Sequence, residues 1–268
     1  MSGTMDALEA WMSSNRLRLN PSKTKFIWLG TRQQIAKLDL TALTSEFPLY
    51  VFSTTVRDLG VQLDQELTFA PHLHRLARDC YYQLRQLRTV TRSLTSAAKL
   101  TLVHSFITSR LDYCSSLYSG LPSSRIVCLD RVLRSAARLI GQIHKYGHVS
   151  SYMLEALLWL PIYQRIEYRV AALVWRCLQG LAPIYLRELC SLISVVPGRR
   201  LLRSAEKGVL LVPFARTATM QNRAFSVVGP KIWNGLPVEL RLHPGSLPFL
   251  TKLKTVLFGR VEVGSASE

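Results

Sequence analysis

The chain has 268 residues, 48% of them hydrophobic, a formal net charge of +17 and five cysteines. That apolar content supports a packed core and excludes a disordered or fibrous chain. The odd cysteine count, with no Cys-x-x-Cys pair, excludes a disulfide-stapled scaffold. Cys80, Cys114, Cys128, Cys177 and Cys190 are therefore expected to be reduced thiols of an intracellular protein, nuclear or cytoplasmic.

From Thr4 to Asn15, Met5, Leu8, Trp11 and Met12 recur at three- and four-residue steps and predict a short amphipathic helix, with Asp6 and Glu9 near its start. The opening MSGTMDALEAWM lacks the basic region and apolar stretch of a secretory signal. Asn15 and Pro21 punctuate a turn. Lys25 to Leu29, Leu49 to Ser53 and Arg57 to Leu63 are short β-rich runs. Behind them the pattern becomes helical. His72 to Val90 sets Leu73, Leu76, Cys80, Leu84 and Leu87 on one stripe, and Thr95 is placed to cap a second helix through Leu102, Val103, Phe106 and Ile107 to about Leu111.

Gly120-Leu121-Pro122 ends that hairpin, and Ser123 or Ser124 is expected to cap a third helix, stopped at Gly141. Tyr152 to Leu160 and Ile162 to Leu178 read as a further helical pair around Pro161, ended by Gly180. Beyond Pro197 the chain is Arg-rich (PGRRLLRSAEKG), then strand-like (VLLVP), with a final helix over Leu247 to Phe258 and a patternless, mobile tail at 261–268. Interruptions at Glu155, Pro161, Arg169 and Arg176 leave no run of the roughly 20 apolar residues that a membrane span requires, so no membrane partner is expected.

The charge is segregated. Residues 1–70 carry seven basic and seven acidic side chains, whereas residues 71–268 carry 27 and 10 and hold the whole excess. A basic excess confined to one region is the electrostatic footprint of a polyanion-binding protein. On a helical wheel Arg75, Arg78, Arg85, Arg88 and Arg92 gather opposite the leucine stripe, flanked by Tyr81 and Tyr82, and Arg131, Arg134 and Arg138 repeat the pattern in the third helix. Guanidinium groups clamp phosphate oxygens and tyrosine stacks on sugars or bases. The plainer reading is a solvated polar face, but Asp79 and Asp130 are nearly the only acids interspersed.

His144 and His148 are spaced as one-face metal ligands, but Gly141 and Gly147 place them in a loop without finger-spaced cysteines, so no zinc site is expected. Asp58, Asp64 and Glu66 are expected to solvate a hairpin. No G-x-S-x-G, P-loop or G-x-G-x-x-G is present.

Two segments stand out, WMSSNRLRLNPSKTKFIWLG (Trp11 to Gly30) and VRDLGVQLDQELTF (Val56 to Phe69). Further blocks follow in order: SRLDYCSSLYSGLP (109–122), AARLI (136–140), LEALLWLPIYQRI (154–166), LAPIYLREL (181–189), RRLLRSA (199–205) and FSVVGPKIWNGLPVELR (225–241). This series resembles the C-terminal part of the reverse transcriptases of LINE-type (non-LTR, jockey-like) retrotransposons.

The resemblance implies an α+β, mainly α fold. A short α/β palm remnant with a primer-grip-like hairpin spans residues 1–70, a helical thumb-like region 71–145 and a mixed, largely helical C-terminal region 146–260. It aligns Lys23 with a lysine beside the nucleotide site, here a vestige or a surface lysine in a turn. It aligns Leu59, Gly60 and Val61 with the primer-grip turn, where glycine lets backbone approach a strand or merely closes a hairpin. Where relatives carry a Gln-Asn pair, this chain reads Leu133-Arg134-Ser135, which adds positive charge.

The intact family uses two Mg²⁺ ions held by aspartates. No aromatic-x-Asp-Asp occurs here and no two acidic residues are adjacent, so no catalytic or metal residue and no cofactor is assigned to this chain. It is expected to be a truncated polymerase piece that grips RNA or an RNA/DNA primer-template through the arginines and does not copy it. The alternative is a non-functional or partner-binding remnant of a decayed element, with an intact polymerase chain as a second candidate partner.

Overall fold

The computed structural model describes residues 2–20, 23–39, 41, 45, 51–195, 208–217, 220–242 and 248–265, and the chain divides into two compact units, Met1–His72 and Leu73–Glu268. No helix among the described residues is long and apolar enough to cross a membrane.

In the first unit helix α1 (Ser2–Ser14) precedes β1 (Lys25–Phe26). The short helix α2 (Arg32–Ile35) starts at a capping box, with Thr31 Oγ1 accepting from the Gln34 N–H while the Gln34 amide oxygen accepts from the Thr31 N–H. β1 pairs in parallel with β2 (Val51–Phe52), and the Phe26 and Phe52 rings stack at 5.3 Å. β3 (Thr55–Asp58) and β4 (Val61–Asp64) form an antiparallel hairpin with Asp58 opposite Val61, which leaves Leu59-Gly60 as a two-residue turn. Both turn residues have positive φ, 43° and 89°, the backbone a tight hairpin needs and one that glycine supplies without strain. KFIWL contributes only Lys25 and Phe26 to pairing, and the run expected from Arg57 to Leu63 is corrected: the positive-φ Leu59-Gly60 turn breaks it into the ends of two strands.

The second unit is helical. α3 (Ala70–Val90), which begins within the last residues of the first unit, buries Leu73, Cys80, Leu84 and Leu87 as expected, with Ala77 joining them and Leu76 only partly covered. α4 (Ser96–Val103) starts at Thr95, whose hydroxyl accepts from the Ala98 N–H at 3.2 Å. The single helix expected to follow is instead interrupted by a π turn at His104–Thr108 before α5 (Ser109–Asp112). One extra residue per turn shifts the helical phase, so Ile107, Thr108 and Leu111 face inward while Phe106, expected inside, is 41% exposed.

α6 (Ser123–Gly141) starts after Pro122 without a side-chain cap, correcting the expected serine cap: Pro122, with φ −58° and ψ 143°, already holds the extended cap conformation. Its end is corrected too, since Gln142 rather than Gly141 takes the left-handed conformation. The helix expected over Tyr152 to Leu160 is one π turn, Tyr152–Ala156. The Trp159 N–H closes back on Met153 O at 2.8 Å over a left-handed Leu158, which ends the coil there.

α7 (Ile162–Leu178) is the hub of this unit. α6, α10 (Phe225–Asn234), α12 (Phe249–Ser265) and the 3₁₀ turn Ser115–Tyr118 all pack on it. The small helices α8 (Ile184–Arg187), α9 (Met220–Arg223) and α11 (Val238–Leu242) fill the connections. Trp233 is fully buried, its indole N–H donating to Gly208 O at 2.9 Å, and with Trp175 it sandwiches Phe249. α10 approaches α7 closely at Gly229, where a Cβ would stand 3.0 Å from Val174 Cγ2.

VLLVP forms a single bridge, Leu210 to Leu192, rather than a strand. The last helix runs to Ser265, so residues 261–265 are helical, not a patternless tail. RRLLRSA lies outside the described residues.

Candidate nucleic-acid interface

In the first unit Lys23 sits in a turn closed by its N–H on Asn20 O, 3.1 Å, and its side chain is exposed. Leu59 occupies the hairpin tip, 83% exposed, while Val61 at the strand start is buried. For a β-unbranched side chain the left-handed region costs about 1–2 kcal/mol, so the tip holds an apolar group outward in a strained conformation. Asp64 is engaged locally, its carboxylate accepting from the Phe69 and Thr68 N–H groups at 2.7 and 2.9 Å, which fixes the entry to α3.

In the second unit the predicted arginines separate into three groups. Arg75 and Arg78 share Asp79, each at 3.8 Å and exposed, contacts worth about 0–1 kcal/mol. Arg85 lies 6.0 Å from the Tyr82 ring centroid, a cation–π distance. Arg134 is tied down, Nε to Asp130 Oδ2 at 2.8 Å and Nη1 to Ser150 Oγ at 3.1 Å. The other Asp130 oxygen accepts weakly, at 3.4 Å, from the N–H of Ile162 at the start of α7. The charge expected of Arg134 is therefore largely spent on the fold, while Arg131 stays exposed.

The third group converges. Arg88 and Arg92, from the end of α3 and the turn after it, meet Arg138 of α6 and Lys145 around a groove of about 610 Å³. Four cations and no carboxylate line it, with Thr91, Ser135 and Gln142 between them. Arg138 reaches Gly147 O only at 3.5 Å, and its Nε is shut from water with no partner among the described residues. The uncompensated cations, rather than the sealed Nε, are what the groove presents outward. Lys145 was missed because its loop carries no helical period.

A charged knot that sequence reasoning also missed joins two of the quoted blocks. Asp112 of SRLDYC accepts from Arg165 Nη1 through both oxygens at 3.2 Å and pairs with Arg169 Nη2 at 3.1 Å. Arg165 Nε donates to Leu160 O at 2.8 Å, and its guanidinium lies 5.7 Å from the Trp159 ring centroid. The available signal was the presence of an Asp and an Arg inside two resembling blocks, but 53 residues separate them.

Burial pushes the Cys80 thiol up to about 11 and Cys190 to about 12, the reverse of an activated cysteine. Among the described residues no three His, Cys, Asp or Glu side chains group as metal ligands.

These features describe a basic, helical unit with one groove lined by four cations. Over 87 residues the chain is 33% identical to the probable RNA-directed DNA polymerase from transposon BS of Drosophila melanogaster, a stretch covering 31% of this chain and 9% of that protein. The similarity relates the chain to reverse transcriptases of transposons, of which it spans a small fraction. No protein-family model matches it, and no solved structure does.

Proposed function

We propose that the chain is the C-terminal part of a LINE-type reverse transcriptase, with the end of a palm in the first unit and a thumb-like region in the second, and that it holds RNA or a primer-template by its phosphate backbone. The observation that carries this reading is the groove of Arg88, Arg92, Arg138 and Lys145, which concentrates four cations with no carboxylate. The order of the resembling blocks and the transposon polymerase similarity support the lineage. The strained, exposed Leu59-Gly60 tip suits a primer-grip contact. Polymerisation is not proposed for these residues, whose sequence holds no aromatic-x-Asp-Asp element and no adjacent acidic pair.

The test is fluorescence anisotropy with labelled RNA and RNA–DNA primer-template at low salt. The R88Q/R92Q/R138Q variant is expected to bind about tenfold or more weakly than wild type with its fold intact. Equal affinity would remove the groove from the account. One observation favours a second reading, a partner-binding remnant: Leu181, Ile184 and Tyr185 are 65–70% exposed side by side. Light scattering that finds a stable oligomer without RNA affinity would favour it.

A further inference from the structure

A second cavity, of about 460 Å³, shares no lining residue with the arginine groove and falls within the roughly 300–1,000 Å³ of small-molecule sites. Its charge is unbalanced: Arg165, Arg169 and Lys254 face one carboxylate, Asp112. Asp112 does not compete for an incoming anion, because both its oxygens are engaged by Arg165 and Arg169. It fixes those guanidiniums in place. Arg165 is held from three sides, whereas Arg169, 46% exposed, has a single polar contact among the described residues and keeps donors to spare. The Lys254 ammonium makes no hydrogen bond among the described residues and rests 5.6 Å from the Phe258 ring centroid.

The surplus of two positive charges matches a phosphomonoester, which carries about −1.5 to −2 at neutral pH, better than an internal phosphodiester with its single charge. The remaining wall is mixed: Leu157, Leu158 and Trp159, following the second π turn, give it an apolar stretch, the His104 ring stands edge-on to the indole, and Thr108 and Tyr168 add hydroxyls. The first π turn borders this cavity through His104 and Thr108, and the left-handed, 56% exposed Leu158 lies two residues beyond the second. π turns are rare and concentrate at functional sites, as does backbone strain. A ligand with a dianionic head and a flat, partly apolar body fits both halves.

We infer that this cavity takes a nucleoside 5′-monophosphate, free or as the 5′-phosphorylated end of a strand, with the phosphate at Arg169 and Lys254 and the base against Leu158 and the edge of Trp159. The choice of a nucleotide among such ligands rests on the nucleic-acid reading proposed above.

The test is an NMR titration of the tryptophan indole N–H signals of the whole chain with AMP, adenosine and inorganic phosphate, the Trp159 signal being assigned from Trp159→Phe. AMP should shift that signal and bind about tenfold tighter than either fragment, and R169Q/K254Q should lose about tenfold of the AMP affinity at an unchanged melting temperature. A 5′-phosphorylated oligonucleotide preferred over its 5′-hydroxyl form, with the preference lost in R169Q/K254Q, assigns the site to strand ends, whereas equal binding of both forms assigns it to free nucleotide. An unmoved Trp159 signal, AMP no tighter than inorganic phosphate, or undiminished AMP binding by R169Q/K254Q each overturns the inference. R88Q/R92Q/R138Q separates the two sites: it should keep AMP binding while losing polynucleotide. AMP binding by a wild-type chain that ignores polynucleotides would sink the groove reading and leave this site standing.

Discussion

Asp112→Asn removes one charge at nearly constant volume from the knot that joins α5 to α7. Removing one partner of a buried ion pair costs about 3–5 kcal/mol, chiefly because the other charge is left buried without compensation. Here the Arg165 side chain is 15% exposed and Asp112 24% exposed, so most of that penalty applies to this arm. Arg165 keeps the Leu160 carbonyl and the Trp159 ring, and the Arg169 arm is half in water, worth about 0–1 kcal/mol. The expected loss is therefore about 2–3 kcal/mol, which in a unit of this size lowers Tm by roughly 5–10 °C. Urea denaturation followed by far-UV circular dichroism measures it. The D112L/R165M double variant should recover most of the loss, because it removes the buried pair together and the Arg169 it leaves behind is half in water. A D112N variant within about 0.5 kcal/mol of wild type would show that the knot is solvent-screened and that the reasoning from burial is wrong.

Further outcomes follow from the same geometry. Trp233→Ala should cost about 3–5 kcal/mol and Trp233→Phe about 1–2, since the first empties the Phe249 sandwich while the second removes mainly the bond to Gly208; equal losses would contradict the packing. Burial raises the Glu167 carboxyl above its ordinary range, and Arg260 at 3.8 Å only partly opposes this. The folded chain therefore holds that proton more tightly than the unfolded one. This contribution to stability is full below the unfolded carboxylate value and is lost as pH rises through the folded one. Glu167→Gln should accordingly raise Tm at pH about 7 and not at pH about 4, and a gain equal at both would refute the assignment. Native alkylation at pH about 8 should spare Cys80 and Cys190, whose thiols titrate far above that pH, and label them only in denaturant; rapid native labelling would mean that their burial is misjudged.

The long helices were legible because their apolar period is uninterrupted over several turns, as in α3 with Leu73, Cys80, Leu84 and Leu87. Thr95 and the Leu59-Gly60 turn were legible because a local side chain or a local φ decides them. The π turns were not, since a one-residue phase shift leaves composition unchanged and shows only in which of Phe106 and Thr108 turns inward. α10 was not, because Gly229-Pro230 reads as a breaker, while in the fold Gly229 permits the close approach to Val174. The arginine faces could be read from the sequence, but their division could not. Whether an arginine is free for a ligand depends on partners such as Asp130 for Arg134, and the convergence of Arg88, Arg92 and Arg138 needs two helices side by side.

The measurement that bears most directly on the central claim is the salt dependence of RNA binding. Four groove cations that each displace a condensed counterion predict a log–log slope of about −3 to −4, falling in magnitude by about 2–3 in R88Q/R92Q/R138Q. A slope near zero for the wild type, or one that the triple substitution leaves unchanged, would contradict the account.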